Sequence, residues 1–263
     1  MAPAYIERPR GIVRVAGRDA RTFLQNTITI DIDPLDVSGG AYSLLLTPKG
    51  RVIADMTVLR TAQDTFVLVC EPHATADLVL TLKRYRLASK VTVEDVSAVF
   101  VALESVGPGP GVPTALGALT IVDLDAAEAS RAALGRALST EEWTHERVAR
   151  MIPLHGSDFD ETTLPAEASL DTRAISFEKG CYIGQEPVAR LHYRGHPNRV
   201  LRRLALGGPI ALPATLSVER EVGRITTVSG ETALGYVRRE VDHASELTAR
   251  GSDGVEARVR ILG

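Results

Sequence analysis

From Leu201 onward the chain breaks into short β-type runs, LRRLAL, ATLSVE, VGRITTV, ALGYVRR and ARVRIL, divided by Gly, Pro and Asp. Each run is too short for a buried helix and rich enough in branched residues to extend. Several such runs at close spacing, each followed by a turn signal, predict a small antiparallel barrel. This segment sets the C-terminal architecture and separates it from what precedes.

Before it, strands and helices mix. Gly11 to Ala16 reads as a strand, and Asp19 as the N-cap of a helix through Ala20, Phe23 and Leu24. Tyr42 to Leu46 and Val52 to Leu59 flank Thr47-Pro48-Lys49-Gly50, a hairpin turn. Asp64 to Val69 is a further strand, and Leu78, Leu82 and Tyr85 recur at helical spacing. Gly107-Pro108-Gly109-Pro110-Gly111 is the strongest breaker and marks a surface connection. Beyond it come a strand over 118–122, an alanine-rich helix over 126–138, and a capping box, Ser139-x-x-Glu142, opening a helix through Arg150. Segment 153–175 has no clean period. The reading is α+β, with an N-terminal α+β domain over 1–106, a middle α+β segment over 107–199 and a β-barrel over 200–263.

At 263 residues the chain is long enough for one large domain or two to three small ones. Its net charge of −3 gives no whole-protein basic field for nucleic acid, although a local patch is compatible with it. The start, MAPAYIERPRG, has no apolar signal region, and no run approaches the ~18 apolar residues of a spanning helix. A soluble, cytoplasmic protein with no membrane partner is expected. The two cysteines, Cys70 and Cys181, form no CxxC pair and no Cys/His ligand spacing, so no structural zinc site and no disulfide framework are expected.

The least ordinary stretch is EKGCYIGQEPVARLHYRG, residues 178–195. Gly184-Gln185-Glu186-Pro187 reads as a helix start, because proline is tolerated in a first turn. Cys181 then lies just ahead of a helix N-terminus and close to Lys179, and both features lower a thiol from its ordinary value of about 8.5. The competing reading is a small buried side chain, the usual fate of a free cysteine and the one expected for Cys70. Glu186 and Gln185 are either pocket groups or, for Glu186, a complement to the helix dipole. A run of Arg190, His192, Arg194, His196, Arg199, Arg202 and Arg203 follows. It suits carboxylates, RNA phosphates or a solvated face. As a strand, its alternate members 190, 192, 194 and 196 share one side.

The segment KGCYIGQEPVAR, residues 179–190, resembles the signature of the YgfZ family, folate-binding relatives of the glycine-cleavage T-protein. VAGRDARTFLQNTITIDI, LTPKGRVIADMTVLR and VGRITTVSGETALGYVRREV resemble further parts of that family, so the likeness covers most of the chain. It implies a T-protein-like fold: two α+β domains around a central channel and a C-terminal barrel. It also implies a tetrahydrofolate derivative as cofactor and a role in assembling or repairing iron–sulphur clusters in client enzymes, with a link to tRNA modification. Cys181, with Lys179, is then the working thiol site. Trp143, Tyr182, Gln185, Glu186, Arg190, Arg194 and Asp55 are then the candidate folate-site residues, with the alternatives above still open for Glu186, Arg190 and Arg194. Trp143 suits stacking on a pterin or benzoyl ring as well as it suits a core, Tyr182 suits packing, and Asp55 suits a base, an anchor or a strand-end solvent residue. The sequence departs from the family at Ala149, where many relatives carry glutamate. Two rivals stay open: an aminomethyltransferase and an RNA-binding adaptor.

Overall fold

The computed structural model describes residues 3–262. In chain order its elements are β1 (Ala4–Glu7), β2 (Gly11–Ala16), α1 (Ala20–Gln25), β3 (Gly40–Leu46), β4 (Val52–Ala62), β5 (Thr65–Cys70), α2 (Thr75–Tyr85) and β6 (Thr92–Asp95). Then follow β7 (Phe100–Val106), β8 (Val112–Pro113), β9 (Gly117–Asp123), α3 (Ala127–Leu134), β10 (Arg136–Ala137) and α4 (Thr140–Ala149). Last come α5 (Asp171–Ala174), α6 (Gln185–Arg194), β11 (Arg199–Leu206), β12 (Ala214–Ser217), β13 (Glu221–Ser229), β14 (Thr232–Arg238), β15 (Glu246–Arg250) and β16 (Glu256–Ile261).

The chain divides into two compact units that interleave: residues 1–139 with 172–189, and residues 140–171 with 190–263. In the first unit, one five-stranded sheet runs β3-β4-β5-β2-β6 and a second runs β10-β1-β7-β9-β8. One face of the first sheet, with Val13, Val15, Met56, Phe66 and Leu68, packs under Phe23 and Leu24 of α1 and Leu78 and Leu82 of α2. Its other face, with Ile12, Leu59, Val67 and Val69, packs on Ala102, Val112 and Leu119 of the second sheet. Period-two alternation therefore feeds two cores at once. Phe66, fully buried, contributes on the order of 1.5–3 kcal/mol.

In the second unit β11-β14-β13-β12-β15-β16 close into a barrel, which leaves no open sheet edge. Leu204, Leu216, Ile225, Val237, Leu247 and Val259 fill its interior. Leu201, Leu234 and Tyr236, on alternate positions, face outward and pack with Val148 of α4. The sequence reading found five of the six strands. It passed over β15, ELTAR, whose apolar residues are only Leu247 and Ala249.

Three local expectations change. Asp19 stands at the N-cap of α1 but makes no side-chain cap; its Oδ2 accepts the Lys90 amide at 2.7 Å instead, tying α1 to β6's approach. The alanine-rich helix stops at Leu134, because Gly135 turns at φ +93° and the chain re-extends to pair with β1. Residues 190–194 are helical, not extended, so Arg190 and Arg194 lie one turn apart on α6.

Candidate functional site

The two cysteines part company. Cys70 ends β5 and is fully buried. Burial pushes its thiol up to about 12. Cys181 is exposed. It sits four residues before Gln185, the first residue of α6, and therefore one turn out from the helix rather than at its cap.

The loop bearing Cys181 is held at both ends. On the upstream side the Lys179 ammonium donates to the carbonyls of Ile28 (2.9 Å) and Ile30 (2.7 Å). It also lies 5.5 Å from the centre of the Tyr182 ring. The Ser176 amide donates to Thr29 O, and Thr29 Oγ1 donates to Ala174 O at 2.6 Å. On the downstream side Gly184 turns at φ +80° against the hairpin between β3 and β4. A Cβ there would lie 2.4 Å from Thr47 O and 2.9 Å from Leu46 Cβ. Pro187 and Val188 press on Gly50 of the same turn. Lys179 directs its charge at backbone carbonyls of the 28–30 segment. Burial, outweighing Asp31 and Asp33 nearby, lowers it to about 8.

A second polar cluster in the first unit surrounds Asp55 on β4. Tyr42 Oη donates to Asp55 Oδ2 at 2.8 Å. Burial, together with the Asp55 charge, pushes the Tyr42 hydroxyl well above the ordinary tyrosine value, so it remains a donor. Nearby, Glu71 is gripped by the two terminal nitrogens of the Arg8 guanidinium and by Arg10 Nη1 at 3.1 Å. Burial would raise Glu71, but these guanidiniums outweigh it and hold the carboxylate below its usual range. Arg10 Nε is buried with no acceptor among the described residues. A cleft of about 580 Å³ opens beside Arg8 and Arg10 and is walled by Tyr5, Ile12, Phe100 and Leu138.

In the second unit Trp143 is buried, with the Arg147 guanidinium 5.4 Å over its ring. Arg147 binds Asp158 at 2.6 Å and Thr227 at 2.9 Å. Of the two readings kept open for Trp143, stacking on a ligand ring or core packing, the structure shows a buried ring with an arginine over it. Ala149 is exposed, and its carbonyl accepts from Arg203. Arg190 and Arg194 are exposed on α6, as are His192 and Tyr193. Arg199 instead turns to Glu167 (3.1 Å) and lies 4.9 Å over the Tyr236 ring.

Of the expected site residues, Asp55, Lys179, Cys181, Tyr182, Gln185 and Glu186 belong to the first unit. Trp143, Arg190 and Arg194 belong to the second. Within the first unit the structure joins Lys179 to Tyr182, and the Gln185 amide to Tyr182 O at 3.3 Å. The Arg8–Glu71–Arg10 cluster and the Arg147–Asp158 pair were not expected, since their members lie far apart or in unmarked sequence. Among the described residues no group of three or more His, Cys, Asp or Glu converges as a metal site. No helix among them is long and apolar enough to cross a membrane.

Residues 10–136 match the GCVT N-terminal domain. The glycine cleavage system aminomethyltransferase T from Bartonella henselae superposes with a TM-score of 0.83 at 18% identity, over 100% of this chain and 85% of that one. The chain thus has the glycine-cleavage T-protein fold. Among curated relatives, the tRNA-modifying protein YgfZ of Vibrio vulnificus is 26% identical over 251 residues, 86% of this chain and 77% of that protein. An iron-sulfur cluster assembly factor, the mitochondrial IBA57 homolog of Mycosarcoma maydis, is 28% identical over 212 residues, 71% of this chain. This chain spans about half, 53%, of that relative's length. The chain is thus similar to YgfZ and IBA57 proteins over most of its length, and it carries the KGCYIGQE motif intact.

Proposed function

We propose that the protein supports iron–sulphur cluster assembly or repair in client enzymes, with Cys181 as its functional thiol and a reduced folate as its cofactor. One observation carries the reading: Cys181 is exposed on a loop tethered at both ends, whereas Cys70 is buried in the core. A thiol that only filled space would resemble Cys70. The similarity to an iron–sulfur cluster assembly factor and to a tRNA-modifying protein supports the same direction.

The residues present fit a folate. The Asp55 carboxylate offers an acceptor for the N–H edge of a pterin, as Tyr42 offers a hydroxyl. Arg10 Nε is a buried donor in want of an acceptor such as a ring carbonyl. Gln185 and Glu186 on the first turn of α6 supply further polar groups. The folate would supply one-carbon or redox chemistry; these side chains would bind and orient it. The proposed setting is a reducing compartment such as the cytoplasm, where Cys181 stays a thiol.

The test is a strain lacking its own copy, complemented with Cys181→Ala. Cluster-enzyme activity should fall to the level of the deletion while tetrahydrofolate still raises the melting temperature of the purified variant. Full activity in that strain overturns the role of the thiol. No tetrahydrofolate shift in the wild-type protein overturns the cofactor. A second reading, contact with RNA, is favoured by the exposed Arg190, His192, Tyr193 and Arg194 on one short helix, and salt-dependent binding of tRNA would distinguish it.

A further inference from the structure

We propose that Lys179 is a positioning residue: it fixes where the Cys181 thiol is presented by latching the upstream end of its loop to the Ile28 and Ile30 carbonyls. This rests on the reading of Cys181 as the functional thiol. The residue has been read as a partner for the thiolate, and its geometry argues for a different task.

A lysine side chain that served the thiol electrostatically would keep its head in water near the sulphur, where an ammonium is well solvated. Lys179 is buried, with only 8% of its surface exposed. Its ammonium has left water for two carbonyls 151 and 149 residues away in sequence. Placing a charge there is costly, and the lowered lysine value reports that cost. Two charge-assisted hydrogen bonds and the face of Tyr182 are what the burial gains in return. Those contacts define the position of residue 179 relative to the 28–30 segment, and thus of the residue two places on.

The other end is fixed by shape. Gly184 admits no side chain against Thr47 and Leu46, and its φ of +80° suits glycine. Between the anchors the situation reverses. A Cβ on Gly180 would meet nothing within 4 Å, and its φ lies outside the left-handed region. Among the described glycines it is the one with neither constraint. The loop is therefore pinned at 179 and 184 and open between, which is where the thiol sits. A thiol on a loop free at one end would sample many positions; a latched one is held where a partner can meet it.

Hydrogen exchange on the full chain, followed over peptides covering 176–184 and over β2 and β5, tests the latch in Lys179→Met and Lys179→Arg. Loss of a charge-assisted pair is worth about 1.5–3 kcal/mol, so exchange over 176–184 should speed by about 10- to 100-fold in Lys179→Met. The β2 and β5 amides should stay unchanged, and Lys179→Arg, which keeps two or more donors, should recover most of the protection. Unchanged exchange over 176–184 in Lys179→Met, or equal acceleration in the sheet strands, overturns the latch. Both variants then go into the complementation strain beside Cys181→Ala. Positioning predicts loss with Met and recovery with Arg; full activity with Met overturns positioning even if the loop has loosened. Full activity with Cys181→Ala removes the thiol reading and leaves the exchange result standing.

Discussion

The carboxylate of Asp158 meets the guanidinium of Arg147 at 2.6 Å with both side chains out of water, at 0% and 5% exposure. Every Asp158 lone-pair direction in use is accounted for: Oδ2 also accepts the Leu154 amide, and Oδ1 accepts the hydroxyls of Thr226 and Thr227. One cluster thus ties α4, the 153–160 segment and barrel strand β13. A buried pair of this kind adds little over an apolar pair, but removing one partner strands the other. Arg147→Ala should therefore destabilise the protein by about 3–5 kcal/mol. Urea unfolding followed by the fluorescence of Trp143, the chain's single tryptophan, reads it directly. A loss below ~1 kcal/mol would mean that water replaces the guanidinium.

Gly180 and Gly184, four residues apart, should respond oppositely to alanine. Gly184→Ala forces a Cβ onto Thr47 O at 2.4 Å in a left-handed conformation and should cost about 1–3 kcal/mol. Gly180→Ala meets open space and should be neutral or stabilise by up to ~1 kcal/mol through the unfolded chain. Thermal melts of the two variants decide it; equal losses would contradict the two-anchor description.

Lys179 sets a pH dependence whose sign can be worked out. Its ordinary value of 10.5 falls to about 8 in the fold through burial. Between those limits the unfolded chain holds a proton that the folded one has released, so stability rises with pH over that window. Below about 8 both states are charged and the burial penalty is complete. The difference in urea midpoint between wild type and Lys179→Met should therefore shift in favour of wild type from pH 8 toward pH 10. A flat difference would show that the ammonium is better solvated than its burial implies.

The two thiols should separate kinetically. Iodoacetamide at neutral pH should add once to the native protein, at Cys181, and a second time only after denaturation releases Cys70. Intact and peptide mass spectrometry count and locate the adducts. Two native adducts would mean that the β5 end opens readily, against the burial and raised thiol of Cys70.

Much of this was legible in the residues. The turn at Thr47–Gly50, the helix opened after Ser139, and five of six barrel strands follow from periodicity and breakers, because such signals act over a few residues. The helix start after Gly184 was legible for the same reason. The alternation of Arg and His over 190–196 mimics period two and left the course of that run open, and the structure continues the helix from Gln185 to Arg194. The Lys179 contacts were not legible because its partners lie at Ile28 and Ile30, and nothing in KGCY names a backbone carbonyl.

Sequence by itself determined the α+β plan with its barrel, the resemblance carried by KGCYIGQE, and the identity of the unusual cysteine. Tertiary structure alone decided that the Lys179 ammonium faces carbonyls, that Trp143 is roofed by Arg147, and that Arg8 and Arg10 share Glu71. It also drew residues 140–171 into the barrel's unit, across the order of the chain. The reason is range: local pattern reports which face of an element is apolar, whereas a buried charge is placed by whatever polar group lies opposite, and only folding brings that group there.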